Sequence, residues 1–168
     1  MKSKKSVKPT QKNMVKIPTR GLRTNQSGLK CEDSVCKTLK KSGYRQVFSM
    51  EEFNVAVSKR KAVFLREWPI GKGVLGRKLR GDALIFHPTK YPKTMAIEVK
   101  FQKFGGSVEG RIVELVTDVK SNVYNRPTMI VIDGGGYSSG VIPYLESKIG
   151  GNLVGVVNTS EFKDMFVK

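Results

Sequence analysis

Apolar residues recur at helical spacing in the segment "GLKCEDSVCKTLKK", which predicts a helix from about Leu29 to Lys41. Gly43 would end this helix. The side of this helix that is predicted to face inward consists of Leu29, Glu32, Val35, Cys36 and Leu39. A carboxylate in such a stripe is costly to bury unless it has a partner, so Glu32 is a candidate functional residue.

Three further segments, "AVFLREWPI", "DALIF" and "TMAIEVKF", have the composition of strands. A glycine-rich basic turn joins the first two, and a loop with two prolines joins the last two. The three strands could therefore form an antiparallel meander. The preceding segment "MEEFNVAVSKRK" fits either a short helix or a loop.

The second half of the chain alternates between helical and strand patterns. Four apolar residues recur at helical spacing between Arg111 and Asn125, which predicts an amphipathic helix. The continuous apolar run "PTMIVID" predicts a strand that is covered on both faces, as in an α/β sheet. "GVIPYLESKIG" then looks helical at its end, "NLVGVVN" predicts a strand, and Ser160 could cap a last helix. The predicted order is αβββαβ, followed by αβα.

The formal net charge of the chain is +17, which predicts attraction to polyanions. We expect a nucleic acid as the partner, and an anionic membrane surface is the weaker alternative because no lysine-rich amphipathic helix is evident. Residues 1–27 are basic and lack acids, which predicts a flexible arm ahead of one domain at residues 28–168. This arm either contacts nucleic acid, which we favour, or only increases solubility.

The sequence gives no sign of a membrane span, a signal peptide or a disulfide framework. No apolar run approaches the ~18 residues that a membrane span needs, and no apolar segment follows the basic N-terminus. Cys31 and Cys36 have no histidine or cysteine neighbours that would complete a zinc site. These features lead us to expect a soluble protein of the cytoplasm.

Three charged residues interrupt the two apolar strands of the predicted hairpin. Glu98 and Lys100 point to the same face because strand side chains alternate. Asp82 begins the preceding strand, and antiparallel pairing would place it beside them. Two neighbouring carboxylates repel each other, and a divalent cation such as Mg²⁺ would offset that repulsion. Glu32 could supply a further oxygen. The same pattern also fits a half-exposed strand with solvated charges.

Taken in order, these motifs resemble the PD-(D/E)XK nuclease superfamily from about Gly28 to Phe166. The family pattern places a glutamate on a helix, here in "GLKCEDSV", and then an acid at the start of a strand, here in "LRGDALIF". An E-x-K motif follows at residues 98–100, and several branches of the family extend it to E-x-K-x-Q, here with Gln102. The segments "GGSVEGRI" and "IVIDGGG" also resemble elements of the family.

The resemblance implies an α/β fold of the restriction-endonuclease type, in which an αβββαβ core forms a mixed central sheet flanked by helices. It also implies a Mg²⁺ site, with Mn²⁺ as a possible substitute. Asp82, Glu98 and the backbone carbonyl of Val99 would bind the metal. Glu32 would bind a second metal or act as an outer ligand, and Asp33 is the alternative helix acid.

The resemblance further implies that Lys100 positions the attacking water. Gln102 would hydrogen-bond within the site or contact the scissile phosphate. Gly81 stands where the family name records a proline, although that proline is often absent. Positive charge clusters around the motif, as a phosphodiester substrate requires, and a solvated charged face is the alternative. The candidate DNA contacts are Arg77, Lys78, Arg80, Lys103, Ser107, Arg111 and Lys120.

By this resemblance we expect a Mg²⁺-dependent DNA endonuclease that hydrolyses double-stranded DNA. The small size and the basic arm favour a sequence-specific enzyme of the restriction or homing type, acting in a bacterial or phage-infected cell. A homodimer or larger homo-oligomer is expected because a compact core does not easily span both strands. The alternatives are a Holliday-junction resolvase-type nuclease with the same core, and a basic nucleic-acid-binding protein without catalysis.

Overall fold

The computed structural model describes residues 20–105 and 109–167, and their side chains from residue 28 onward. A six-stranded mixed sheet forms its centre, with helices on both faces. The elements in chain order are α1 (Arg20–Lys41), β1 (Arg45–Val47), α2 (Met50–Ser58), β2 (Val63–Lys72), β3 (Lys78–His87), β4 (Tyr91–Phe101), α3 (Glu109–Lys120), β5 (Thr128–Asp133), α4 (Val141–Ser147), β6 (Leu153–Val157) and α5 (Thr159–Phe166).

The order of the strands across the sheet follows the chain from β1 to β6. β2, β3 and β4 form the predicted antiparallel meander, and β5 lies parallel to β4 after a crossover through α3. β1 and β6 extend the sheet at its two edges, each parallel to its neighbour. The predicted α/β class and αβββαβ core are therefore confirmed, with α1, β2, β3, β4, α3 and β5 as the core elements.

The sheet separates two hydrophobic layers. α1 and α5 cover one face, where Leu39 and Phe162 are almost completely buried. α2, α3 and α4 cover the other face, where Phe53 and Leu145 are buried to the same degree. Burying one such side chain contributes roughly 1.5–3 kcal/mol of transfer free energy. β5 sends side chains into both layers, which confirms the prediction that it is covered on both faces.

The helix α1 begins earlier than the sequence pattern predicted. It starts at Arg20, within the segment assigned to the basic arm, and residues 1–19 of that arm lie outside the described part of the chain. Leu29 is 50% exposed, so its predicted inward position is wrong. The buried apolar stripe of α1 consists of Cys31, Val35, Cys36 and Leu39, and both cysteines are free thiols.

Two elements lie between α1 and the meander, the helix α2 and the short strand β1. The segment that fitted either a helix or a loop is the helix α2, and Ser49 caps it by accepting a hydrogen bond of 3.1 Å from the Glu52 amide. The strand β1 was not predicted, because three residues are too few to show a periodic pattern.

Two helix boundaries in the second half also differ from the predicted ones. α3 ends at Lys120 instead of continuing to Asn125, because Asn122 and Asn125 adopt left-handed turns with φ of 59° and 51°. α5 is capped by Asn158 rather than Ser160. Across the described part of the chain, no helix combines the length and the apolar character that crossing a membrane demands.

A left-handed residue within β2 changes which face of the sheet its neighbours meet. Glu67 has a φ of 49°, a region that few residues other than glycine occupy. Regular alternation would place Arg66 and Trp68 on the same face. Instead, Arg66 contacts acidic residues of α1, whereas Trp68 is buried in the opposite layer with Leu65. The left-handed backbone at Glu67 therefore separates the two side chains, with Arg66 on the face of α1 and Trp68 on the opposite face.

Candidate active site

The candidate site lies where β3 and β4 diverge. The register that pairs these strands runs from His87 and Tyr91 at the hairpin to Ala83 and Ile97. Asp82 follows next, at the fork. It is the fifth residue of β3 rather than its first, so the predicted strand start is wrong. The divergence leaves room for the Asp82 carboxylate between the two backbones.

The fork brings together the residues of the predicted hairpin cluster. The Val99 amide donates a hydrogen bond of 2.6 Å to Oδ2 of Asp82. The Nζ atom of Lys100 lies 3.3 Å from the same oxygen and 2.9 Å from Oε2 of Glu98. It also donates to the backbone carbonyl of Val99 at 3.2 Å. Three oxygens from three residues therefore accept hydrogen bonds from one ammonium group.

Burial and charge oppose each other in this cluster. Burial raises the pKa of Glu98, which is 3% exposed, and Lys100 acts against that rise. Burial alone would lower the pKa of Lys100, but Glu98 and Asp82 outweigh this effect and raise it. The ammonium of Lys100 therefore stays protonated and acts as the counter-ion of two carboxylates.

The same oxygens have the chemistry of a Mg²⁺ site. In residues 20–105 and 109–167, no three Asp, Glu, His or Cys side chains cluster as a metal site by themselves. Asp82 and Glu98 become a set of three oxygen-bearing ligand residues only when the Val99 carbonyl is included. Oε1 of Glu98 is buried without a hydrogen-bond partner, which is a costly state for a carboxylate. Two carboxylates and a carbonyl are hard donors, so this set fits Mg²⁺ or Mn²⁺.

Glu32 approaches the cluster from α1. Its carboxylate lies 3.3 Å from Nη2 of Arg66. Burial and the nearby charge of Asp82 raise the pKa of Glu32, while Arg66 lowers it. Asp33 contacts the other guanidinium nitrogen of Arg66 at 2.8 Å, but its side chain is 51% exposed. The charge of Asp82 acts on Glu32, whose side chain is 24% exposed, whereas Asp33 lies farther toward solvent.

Gln102 lies at the end of β4, on the same face of the strand as Glu98. Its Nε2 donates to the Gly136 carbonyl at 2.9 Å, and its Oε1 is buried without a partner. The "DGGG" segment packs so closely here that a side chain on Gly134 would lie 2.2 Å from the Gln102 carbonyl. Gly134 and Gly136 therefore allow close packing against residues 102–104, which follow β4. The partnerless oxygen leaves Gln102 with one unused acceptor beside the cluster.

Gly81 occupies the position of the family's proline for a packing reason. It lies directly opposite Trp68 in the register of β2 and β3. A Cβ atom on Gly81 would lie 2.2 Å from Nε1 of Trp68. The indole therefore fills the space that a proline ring would need. The departure from the family pattern is linked to the face change at Glu67, which directs Trp68 into this layer.

The residues that the sequence reasoning missed are Arg66 and Tyr124. Arg66 is a charge inside the apolar strand "AVFLREWPI", the same signal that singled out Glu98 and Lys100, so the pattern could have found it. Tyr124 lies in the turn after α3, where no periodicity marks it. Burial and the charge of Glu98 raise the pKa of Tyr124.

Three of the candidate DNA contacts lie on the β2–β3 hairpin. Lys78 and Arg80 are exposed, and Arg77 forms a long ion pair of 3.7 Å with Glu114. Arg80 lies 3.6 Å from Glu67, with both side chains mostly exposed. Exposed pairs of this kind contribute little to stability, so these cations are available to other anions.

The other candidate DNA contacts are more dispersed. Lys103 is exposed and lies 5.5 Å from the ring centre of Phe104, and Arg111 is exposed at the start of α3. Lys120 donates to two main-chain carbonyls beyond α4, at 3.2 and 3.0 Å. These two bonds give Lys120 a structural role at that helix end. Ser107 lies outside the described residues.

The comparisons with known proteins give one match. A family model described as a PD-(D/E)XK nuclease superfamily domain matches residues 23–165, which is most of the 168-residue chain. No curated protein and no solved structure matches the chain. The matched range contains the helix acid, both carboxylates of the fork, the lysine and the glutamine. The chain therefore belongs to the PD-(D/E)XK nuclease superfamily.

Proposed function

We propose that the protein is a Mg²⁺-dependent endonuclease that hydrolyses phosphodiester bonds in double-stranded DNA. One observation carries this proposal. Nζ of Lys100 lies within 3.3 Å of an oxygen from each of Asp82, Glu98 and Val99. The family resemblance assigns these three oxygens to the metal, and all three lie around the same ammonium group.

Asp82, Glu98 and the Val99 carbonyl are the proposed Mg²⁺ ligands, and Mn²⁺ is an expected substitute. The chemistry that such a cation supplies is a more acidic water and neutralisation of phosphate charge. Lys100 keeps its proton because, against the effect of burial, the two carboxylates raise its pKa. Its ammonium donates a hydrogen bond that orients the attacking water and offsets charge on the phosphate.

Two further residues have proposed supporting roles in the reaction. Glu32 adds a carboxylate beside Asp82, and Arg66 holds it in place through the 3.3 Å ion pair. Gln102 has one buried acceptor free, and it is proposed to hydrogen-bond a water or a sugar–phosphate group in the site. Because Gln102 is also bound to the Gly136 carbonyl, its position is fixed before substrate arrives.

The net charge of +17 supports a nucleic acid as the substrate. We propose contacts to the DNA backbone from Arg77, Lys78, Arg80, Lys103, Ser107 and Arg111. The small domain and the basic N-terminal segment support a sequence-specific enzyme of the restriction or homing type. We further propose that it works as a homodimer or larger homo-oligomer in the cytoplasm of a bacterial or phage-infected cell.

Cleavage mapping tests this proposal. The purified protein is incubated with genomic DNA in Mg²⁺ or in EDTA, and the ends of the fragments are sequenced. A sequence-specific endonuclease gives Mg²⁺-dependent ends with 5′-phosphates at a recurring sequence. Ends scattered over all sequences argue against the restriction or homing type. DNA that stays intact under both conditions, although the protein binds it, favours the non-catalytic alternative.

A structure-specific nuclease is the second candidate, and one observation favours it. A groove that contains an exposed aromatic ring and an exposed arginine lies next to Arg66, at the border of the candidate site. In a parallel incubation, four-way junctions and matched linear duplexes are compared as substrates. Selective cleavage of the junctions would favour this second candidate over the sequence-specific one.

A further inference from the structure

A groove of about 560 Å³ is lined in part by Arg66, which pairs with Glu32 of the candidate active site. Its walls are residues 46–50, where β1 leads into α2, together with the middle of β2 and Arg80 of β3. We name it the Phe48 groove, after the residue at its rim. Its volume is that of a site for one small ligand, which spans about 300–1,000 Å³.

Phe48 is 78% exposed although its backbone is fixed. Its amide donates a hydrogen bond of 3.1 Å to Oε2 of Glu52. The Ser49 hydroxyl accepts one of 3.1 Å from the Glu52 amide. These two bonds tie Phe48 and Ser49 to the first turn of α2. The ring of Phe48 therefore projects from a turn whose backbone is held by hydrogen bonds.

The exposure of Phe48 is not the usual outcome of this helix start. A hydrophobic residue just before the cap normally packs on the fourth helical residue, here Phe53. Phe53 is 2% exposed and faces the core, while Phe48 is turned out to solvent. An aromatic ring that could be packed locally is instead presented on the surface, next to a groove.

Two arginines and the carboxylate of Glu67 are the charged groups that line the groove. Arg80 has a side chain that is 70% exposed, and its partner Glu67 is 61% exposed at 3.6 Å. An ion pair this exposed exchanges readily for another anion. Arg66 lines the groove and also contacts Glu32 at 3.3 Å, so one side chain connects the groove to the candidate site.

An exposed ring beside guanidinium groups matches the chemistry of a nucleotide, whose base stacks on the ring while its phosphate binds the arginine. A base in a duplex is already stacked on both sides, so it has no free face for Phe48. The groove also has room for one nucleotide and not for a duplex. We propose that the Phe48 groove binds a single unpaired nucleotide next to the scissile phosphate.

This inference rests on the nuclease activity proposed above, and it favours the structure-specific candidate over the sequence-specific one because it specifies the DNA structure that the nuclease prefers. The preferred substrate carries an unpaired nucleotide near the cleaved bond, as at a bulge or a branch point. Phe48 supplies the stacking surface and Arg80 supplies the cation. The phosphate that follows the bound nucleotide then lies toward Arg66 and Glu32.

Binding in EDTA tests this inference without any requirement for catalysis. Full-length protein is titrated into two fluorescein-labelled duplexes of the same sequence, one fully paired and one with a single bulged 2-aminopurine. The bulged duplex should bind at least about fivefold more tightly, the effect of stacking one base. Its 2-aminopurine fluorescence should fall on binding as the base stacks.

Phe48→Ala should bind both duplexes equally, with its affinity for the paired duplex within about twofold of the wild type. Phe48→Leu keeps an apolar side chain without a ring and should lose the same preference. Val55→Ala is the control, because Val55 is 48% exposed on the same helix α2, and it should keep the preference. Circular dichroism melting checks that all variants are folded.

Equal affinity of the wild type for the two duplexes would overturn the inference. An equal loss of affinity for both duplexes in Phe48→Ala would also overturn it, since that pattern marks a general DNA contact. The proposed nuclease activity fails separately. A preference for the bulged duplex without Mg²⁺-dependent cleavage would support the proposed nucleotide site and contradict the proposed nuclease activity. Mg²⁺-dependent cleavage without that preference would support the nuclease activity and contradict the nucleotide site.

Discussion

The ammonium of Lys100 and the carboxylate of Glu98 lie 2.9 Å apart where β3 and β4 diverge. Glu98 is 3% exposed, so this ion pair forms where water has little access. Asp82 places a second carboxylate 3.3 Å from the same ammonium. When both carboxylates are ionised, the cluster therefore holds two negative charges against one positive charge. A bound divalent cation would more than offset this excess negative charge, which would link the stability of the fold to metal binding.

Replacing Lys100 with alanine should destabilise the metal-free protein. Two carboxylates would then share a poorly hydrated site without their hydrogen-bonding counter-ion, at a cost of about 1–3 kcal/mol. Thermal melting in EDTA should show a Tm that is lower by several degrees. Addition of Mg²⁺ should raise the Tm of Lys100→Ala by more than that of the wild type, because the cation replaces the lost charge.

The control for this experiment is Lys103→Ala, which removes an exposed lysine near the same strand end. Its Tm should stay within about 1 °C of the wild type, as for most surface substitutions. Equal Tm values for Lys100→Ala and the wild type in EDTA would show that the ammonium does not neutralise the cluster.

Replacing Glu98 with glutamine should stabilise the metal-free protein at neutral pH. Burial raises the pKa of Glu98 in the folded state, even though Lys100 opposes the rise. The folded protein therefore holds this proton to a higher pH than the unfolded chain does, and stability is lost as pH rises through the folded-state pKa. Glu98→Gln should lack that loss and raise the Tm at pH 8 by about 2–4 °C, or about 1 kcal/mol.

Melting curves in EDTA from pH 4 to pH 8 measure this difference. The Tm advantage of Glu98→Gln should grow as the pH rises and disappear near pH 4, where both side chains are neutral. Glu146→Gln, an exposed change on α4, serves as the control and should follow the wild type. A Glu98→Gln curve parallel to that of the wild type would argue against a raised pKa.

Two neighbouring acids on α1 should differ in their effect on cleavage. The charge of Asp82 acts on Glu32, whereas Asp33 is 51% exposed, although Arg66 contacts both. Glu32→Gln should lower kcat by about 10- to 100-fold, as for residues that support a metal ligand. Asp33→Asn should change it less than threefold. A larger effect from Asp33→Asn in single-turnover cleavage assays would reverse the choice of helix acid.

Restoring the family's proline at position 81 should harm the protein. Even a Cβ at this position would lie 2.2 Å from Nε1 of Trp68. Gly81→Ala should therefore lower stability by about 1–3 kcal/mol, and Gly81→Pro should lower it more. Gly110→Ala is the matched control, because a Cβ there meets nothing within 4 Å. Urea unfolding that shows no difference between Gly81→Ala and the wild type would contradict the packing of Trp68 against β3.

Much of the fold was predictable because its strands and helices are long and strongly patterned. The meander and the crossover to β5 followed from three strand-like segments and a helix, and β5 showed its double coverage as an unbroken apolar run. The short strand β1 and the start of α1 were not predictable, since three residues show no period and the first turns of α1 lack an apolar stripe.

The grouping of Asp82, Glu98 and Lys100 was predictable from strand alternation and hairpin pairing. The fork that admits Asp82 between the strands was not, because it depends on where the register of β3 and β4 ends. The packing of Trp68 against Gly81 also could not be predicted from the sequence. It depends on the left-handed backbone of Glu67, which no residue type at that position signals.

We propose the cluster at the fork as the catalytic centre of a metal-dependent nuclease. Cleavage of supercoiled plasmid by the wild type and by Glu98→Gln, each in Mg²⁺ and in EDTA, tests this most directly. The expected result is nicking or linearisation by the wild type in Mg²⁺ alone, with no cleavage by Glu98→Gln although it binds the plasmid. Cleavage by Glu98→Gln at the wild-type rate, or wild-type cleavage in EDTA, would contradict the claim.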